Sequence, residues 1–367
     1  MSRILFVTWD GGGNVTPAVE IGRELQRRGD DIRFLGQHQQ RESLELAGFG
    51  FAAYRTPGPW TATGRRGSIA TKVGFLRLLV GRSLGRDLVA EVGRHPADLV
   101  VIDCLLYGAL DAASRGGIRH VVFVHSLFAA VAEKMAGGAP GAVAQIVGLN
   151  PWKLWSKAVA VVAVTLEELD RPTEKPLAIS YTGPVLPTIE GEPGNRRTSS
   201  ATILVSLSTT YIAGQTAVMQ NILDAVADLP VRVLLTTGPA VDPDDLHPPA
   251  NAEVRRFVPH AQVMPGVSLV VGHGGHSTTM LALAHDLPLV VLPMNPAFDQ
   301  PLIGQRIHDL GAGATLPSSS TPAQVRAVID DVLADESCRH EAARLGAAIR
   351  AARGRETAAD LLQSLIT

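Results

Sequence analysis

The strongest constraint on this chain is the regular alternation of short, continuously apolar runs with segments of helical period. Candidate strands stand at residues 4–8, 32–35, 99–102, 120–124 and 160–164, and again at 203–207, 232–236, 253–257, 269–272 and 289–292, and most are continuously apolar and rich in Val, Ile and Leu. A run that stays apolar, instead of alternating with polar residues, marks a parallel strand buried on both faces. Helical segments lie between them, such as residues 17–28, which open at Pro17 and stop at Gly29. Strand and helix in turn predict doubly wound α/β sheets. At 367 residues the chain exceeds one ordinary core, so two domains are expected. A polar stretch carrying Pro and Gly at residues 188–200 divides them. The first domain is then 1–187 and the second 201–350. Residues 336–367 read as one or two Ala- and Arg-rich helices, with 351–367 expected to pack back on the first domain.

Composition narrows the function. Hydrophobic residues make up 46% and charged residues 19% of the chain, which is the make-up of a folded globular protein. A net charge of -2 provides no basic field for holding nucleic acid. Cys104 and Cys338 are the two cysteines; they form neither a disulfide framework nor a metal-ligand pair, and fit a reducing cytoplasm. The first residues run straight into a strand without a signal-peptide pattern, and no apolar run reaches the ~18 residues of a membrane span. The expectation is a cytoplasmic protein.

Chemistry-bearing residues gather at strand ends. After the run at 269–272 come His273, Gly274, Gly275, His276, Ser277, Thr278 and Thr279, with a helix expected over 280–285. A glycine turn that opens a helix lets backbone N–H groups and the helix dipole meet an anion. His273 and the three hydroxyls add donors. A zinc site on His273 and His276 lacks a third ligand at suitable spacing. The run at 289–292 leads to Asp299 and Gln300, an adjacent carboxylate and amide able to bridge sugar hydroxyls; an N-cap role for Asp299 is the alternative. Phe257, Val258 and Pro259 follow another strand end. There proline fixes the loop, so the segment taken alone reads first as a structural turn, with the backbone of Val258 able to read a base edge as the alternative. Ligand sites of open α/β sheets lie at such carboxyl ends.

These three segments, in this order, resemble the C-terminal domain of the GT-B superfamily, specifically the UDP-glycosyltransferase-like family that glycosylates small molecules and natural products. The resemblance implies a GT-B fold of two Rossmann-like domains facing a central cleft. It implies that Phe257, Val258 and Pro259 hold the base, and that His273, Gly274, Gly275, His276, Ser277 and Thr278 hold the diphosphate. Asp299 and Gln300 would hold the donor sugar, with Ser208 and Thr209 in the first loop of this domain. Ser208 stands where the family usually has glycine, and Ile303-Gly304 where it usually continues with Asn-Ala.

The first apolar run ends in Trp9-Asp10-Gly11-Gly12-Gly13-Asn14-Val15-Thr16-Pro17. A dinucleotide fingerprint fails here, since Thr16 occupies its third glycine and no acid ends the second strand. The segment resembles the family's Gly-His-Val-Xaa-Pro loop from Gly13 onward, with Asn14 in place of the catalytic histidine. An amide has no useful pKa and cannot be a general base; Asn14 could orient an acceptor. Three candidates for the base stay open: Asp10 in the same loop, Asp103 at the end of 99–102, and His125 at the end of 120–124. Asp103 matches the family's carboxylate that orients the histidine.

Residues 64–92 form a basic amphipathic stretch, with Arg65, Arg66, Lys72, Arg77, Arg82 and Arg86 among apolar residues. A solvated helix face explains it better than membrane docking. Asp242-Pro243-Asp244 reads as a turn and not as a metal motif. The reading is an inverting glycosyltransferase acting on a UDP- or TDP-sugar and a small, largely apolar acceptor. It needs no metal and no cofactor beyond the nucleotide sugar, and leaves a homodimer open. The alternatives are a sugar-nucleotide 2-epimerase and a non-catalytic nucleotide-sugar or glycoside-binding protein.

Overall fold

A computed structural model describes residues 1–55, 68–171, 177–187, 201–208 and 210–366. The chain forms two compact units, Met1–Val185 with Ala352–Thr367, and Leu186–Ala351. The expected linker at 188–200 lies outside the described residues.

The first unit is built on β1 (Arg3–Val7), β2 (Asp31–Gly36), β3 (Gly50–Ala53), β4 (Leu99–Asp103), β5 (His120–Val124), β6 (Ala160–Ala163) and β7 (Ile179–Tyr181), in the order β3-β2-β1-β4-β5-β6-β7. All pairings are parallel. The second holds β8 (Ala201–Ser206), β9 (Val231–Thr236), β10 (Ala252–Arg255), β11 (Leu269–Gly272), β12 (Leu289–Val291) and β13 (Gly313–Thr315), in the order β10-β9-β8-β11-β12-β13, again all parallel. The central strands are buried along nearly their whole length, as their unbroken apolar runs require. Each sheet reverses direction once, between β1 and β4 in the first and between β8 and β11 in the second. Loops at the carboxyl ends of these strands therefore flank a crevice in each unit.

Three strands carry no strong signal in the sequence: β3, β7 and β13. All are sheet edges of three or four half-exposed residues, too short and too polar in context to show a period. The C-terminal region forms two helices, Glu336–Ala352 and Gly354–Ser364, broken where Arg353 takes a φ of 47°. In the last helix Ala358, Ala359 and Leu362 join the core that holds Ile4, Phe6, Ile21 and Leu25. Outside that core Arg28 binds Asp360 and Gln363. The seam is tight: a Cβ on Gly354 would stand 2.3 Å from the Pro184 carbonyl oxygen and 2.5 Å from that of Gly183. Backbone cannot yield as a flexible side chain does, so Gly354→Ala is expected to destabilise the first unit by about 1–3 kcal/mol, measured by urea unfolding.

The basic stretch becomes two helices, Ser68–Val80 and Arg82–Arg94. Arg77, Arg82 and Arg86 are exposed, while Arg65 and Arg66 and the Lys72 side chain lie outside what is described. Residues 242–245 form a short turn of 3₁₀ helix in which the Asp242 side chain accepts from the Asp244 N–H. Among the described residues no helix is long and apolar enough to cross a membrane.

Candidate active site

In the second unit, β11 delivers His273, Gly274 and Gly275 at the switch point opposite the β8 loop. Gly274 has a φ of 81°, and a Cβ there would lie 2.9 Å from the Gln300 carbonyl oxygen and 3.0 Å from Val291 Cγ1. Only glycine meets both demands, and it brings the β11 and β12 loops together. The His273 ring lies over Gly275, with Nε2 2.5 Å from where a Cβ would be. Its Nδ1 is buried without a hydrogen-bond partner. Burial pushes the imidazole down to about 4, against an opposing contribution from the Ser206 backbone. The ring is therefore neutral near pH 7 and carries one N–H donor.

The helix that follows spans His276–Ala284, four residues earlier than the sequence suggests. Serine and threonine there read as loop, but extended Gly275 acts as the N-cap and turns them into the first turn. No side chain caps this end. Ser277 and Thr278 are half-buried, whereas Thr279 is only 2% exposed. The expected third hydroxyl donor is thus turned into the core. His276 is buried as well.

On the β12 loop, the Gln300 amide oxygen accepts the N–H groups of Met294 and Asn295, both at 2.8 Å. Its amide nitrogen is the end left to address a ligand. Asp299 occupies the N-cap position of the helix Gln300–Asp309 but makes no capping bond to it. Phe257 is 75% exposed beyond the end of β10, and Pro259 opens the short helix His260–Val263. Ser208 turns its hydroxyl onto its own loop, accepting from the Thr210 N–H at 3.0 Å. Thr209 lies outside the described residues.

In the first unit, β1, β4 and β5 bring Asn14, Asp103 and His125 together. Asp103 is 3% exposed. Its Oδ1 accepts the Leu105 N–H at 3.0 Å. Its Oδ2 lies 3.3 Å from Asn14 Nδ2 and 3.0 Å from His125 Nδ1. Burial pushes this carboxyl up, but the charge and close approach of His125, with the Leu105 and Asn14 donors, hold it below the usual range. Asn14 is fully engaged by its own chain. Its Oδ1 accepts from the Gly11 N–H at 3.0 Å and its Nδ2 also reaches the Trp9 carbonyl at 3.0 Å. The expectation that Asn14 orients an acceptor meets an amide turned inward, which ties the glycine loop to Asp103. Gly13 is exposed at the tip of that loop. Asp10 is half-buried and receives the Gln39 amide at 3.3 Å.

One supporting residue escapes sequence reasoning. Asp170 is fully buried and accepts the N–H groups of Phe128 and Ala129, at 2.7 and 2.8 Å. It thereby anchors the segment that follows His125 and leads into a π-helix at Val131–Ala136, a rare form often found near functional sites. A lone Asp in a loop 42 residues away from Phe128 gives no periodic or motif signal.

The side chains of Asp103, Cys104 and His125 place ligand atoms within 4.8 Å of one another, close enough to share a cation. The donor set fits poorly. Burial, then the Asp103 charge, push the Cys104 thiol well above its ordinary value, whereas a metal needs the thiolate. Both Asp103 oxygens are already taken by protein donors. The cluster reads as a close Asp103–His125 pair and not a cation site.

Comparison with known proteins agrees with this layout. Residues 220–364 match the family profile of the erythromycin biosynthesis protein CIII-like C-terminal domain. The chain is 35% identical over 167 residues to a demethyllactenocin mycarosyltransferase of Streptomyces fradiae; this covers 45% of the chain and 36% of that relative. It is 25% identical to the 4'-demethylrebeccamycin synthase of Lentzea aerocolonigenes across the full length of both. The crystal structure of the calicheamicin glycosyltransferase CalG4 superposes with a TM-score of 0.80 at 22% identity, covering 100% of this chain and 98% of that one. The chain shares the GT-B fold of this and related solved structures. The GT-B fold thus accounts for the two parallel sheets and their two switch points. Other relatives are named as a 3-alpha-mycarosylerythronolide B desosaminyl transferase and a tylactone mycaminosyltransferase.

The neutral His273 has a measurable consequence. Its folded pKa of about 4 lies below the ordinary ~6.5. The unfolded chain therefore binds an extra proton between these values, and stability is complete above pH 6.5 and lost as pH falls towards 4. Replacing His273 by Gln is expected to remove up to about 3 kcal/mol of that acid sensitivity. Urea unfolding at pH 4.5 and 7 checks it.

Proposed function

We propose that this chain transfers a sugar from a UDP- or TDP-sugar to a small, largely apolar acceptor, with inversion and without a metal. The observation that carries this reading is the uncapped helix N-terminus at Gly275 beside the partly buried, neutral His273, at the switch point of the second unit. A helix end and a preset N–H donor in a dry site stabilise charge that grows on a leaving diphosphate. The Asp299 carboxylate and the Gln300 amide nitrogen suit the donor sugar. Exposed Phe257, with Val258 and Pro259, suits a base. His276, Ser277 and Thr278 complete the phosphate side. The first unit then supplies the acceptor site, consistent with its polar cluster of Asn14, Asp103 and His125 at the ends of β1, β4 and β5.

The mechanism is one displacement at the anomeric carbon. The acceptor oxygen bonds to it as the bond to the β-phosphate oxygen breaks, and the electron pair leaves with the diphosphate. The names of the relatives support sugar transfer to natural-product acceptors. NMR of the product from an α-linked donor, in the presence of EDTA, tests both finer points: a β-glycoside is expected. A retained α-linkage, or turnover abolished by EDTA and restored by Mg²⁺, would reject them.

A further inference from the structure

The residue that takes the acceptor proton does not follow from the family pattern, because Asn14 replaces its histidine. We infer that His125 is the general base, oriented by Asp103, so that the catalytic pair is assembled from the ends of β4 and β5 and not from the glycine loop. This rests on the transferase reading above.

The geometry separates the candidates. Asp103 is buried, and each of its oxygens already faces protein donors, so it has no oxygen turned towards an acceptor. Asn14 spends both ends of its amide on Gly11, Trp9 and Asp103. Asp10 is bonded to Gln39 on the other flank of β1, where β2 ends. His125 alone joins a titratable nitrogen to partial access: its side chain is 17% exposed. His125 Nδ1 lies 3.0 Å from Asp103 Oδ2, within ion-pair distance though not aligned as a hydrogen bond, and Nε2 stands on the opposite edge of the ring. That is the arrangement in which a carboxylate fixes the tautomer and stabilises the imidazolium that forms. The second carboxylate oxygen is held by Leu105, and the Asn14 amide stands where a loop histidine would have competed for Asp103. Asn14 thus becomes a positioning residue.

The step balances simply. The acceptor hydroxyl proton passes to His125 Nε2 as the new C–O bond forms and the diphosphate departs with its electron pair. The imidazolium, paired with Asp103, then returns the proton to water. Among the described residues, Cys104, Tyr54 and Tyr107 are ionisable groups near Asp103. Burial pushes all three up, which keeps them neutral and leaves His125 to do the proton transfer.

The test uses the full chain with UDP- and TDP-glucose and a series of ring-substituted phenols and benzyl alcohols of graded acidity. Wild type should show a shallow dependence of kcat/KM on acceptor acidity. His125→Gln should lose about 10²–10⁴-fold on the least acidic acceptors and less than about 10-fold on the most acidic, which ionise unaided. Asp103→Asn should show the same steepening to a smaller degree. UDP affinity and the thermal midpoint, measured beside it, should stay within error for His125→Gln. A uniform loss across the series, or none, overturns the assignment. If wild type transfers to no acceptor while releasing or isomerising the donor, the transferase reading itself falls and the base assignment with it.

Discussion

Replacing His273 by Ala is expected to lower kcat/KM for the donor by about 10²–10³-fold, the usual effect of removing one preset donor from a site of developing charge. Three features make the effect large. The ring is held over Gly275 by close packing, so it requires no reorganisation as the leaving group forms. Burial keeps it neutral, so its N–H is present across the physiological range without depending on protonation. Finally, the helix N-terminus beside it carries no competing side-chain cap. The loss should fall mainly on kcat, because the charge it meets is greatest in the transition state. Steady-state kinetics with calorimetric UDP binding separates the two. An unchanged kcat with weaker UDP binding would assign His273 to ground-state binding only.

The second large effect concerns folding. Asp170→Ala is expected to cost about 3–5 kcal/mol, because two buried backbone N–H groups lose their only acceptor at the start of the segment after β5. Asp170→Asn keeps one acceptor oxygen and should cost clearly less. In a unit of this size the alanine variant should lower the thermal midpoint by on the order of 10 °C, while UDP binding by the second unit stays intact below the transition. A midpoint within about 2 °C of wild type would show that water replaces the carboxylate and that Asp170 is not an anchor.

Much of this architecture is legible in the sequence because physics writes it in long, uniform signals. Central parallel strands must be apolar on both faces, so runs such as 99–102 and 269–272 stand out. Edge strands escape the rule: β13, Gly313–Thr315, is half-exposed and three residues long, and its signal is lost in its surroundings. Helix starts are also blurred, since serine and threonine favour turns yet also occupy first turns; the helix at His276 shows the second case. The residues proposed for the donor side stand out because they lie in loops that follow strand ends, His273 directly after β11. The pairing of Asp103 with His125 is not, for it arises only when β4 and β5 lie side by side with Asp103 opposite Phe123. Asn14 shows a further limit. Its residue type excludes it as a base, but only its hydrogen bonds reveal that it fastens the glycine loop to Asp103.

The central claim is nucleotide-sugar-dependent transfer. It is tested most directly by incubating the full chain with UDP- or TDP-sugars, with and without a panel of apolar hydroxylated acceptors, and measuring nucleoside diphosphate and product together. The account predicts diphosphate release that depends on acceptor and matches glycoside formed mole for mole. Donor that is isomerised without release, or bound with no turnover on any acceptor, would contradict it.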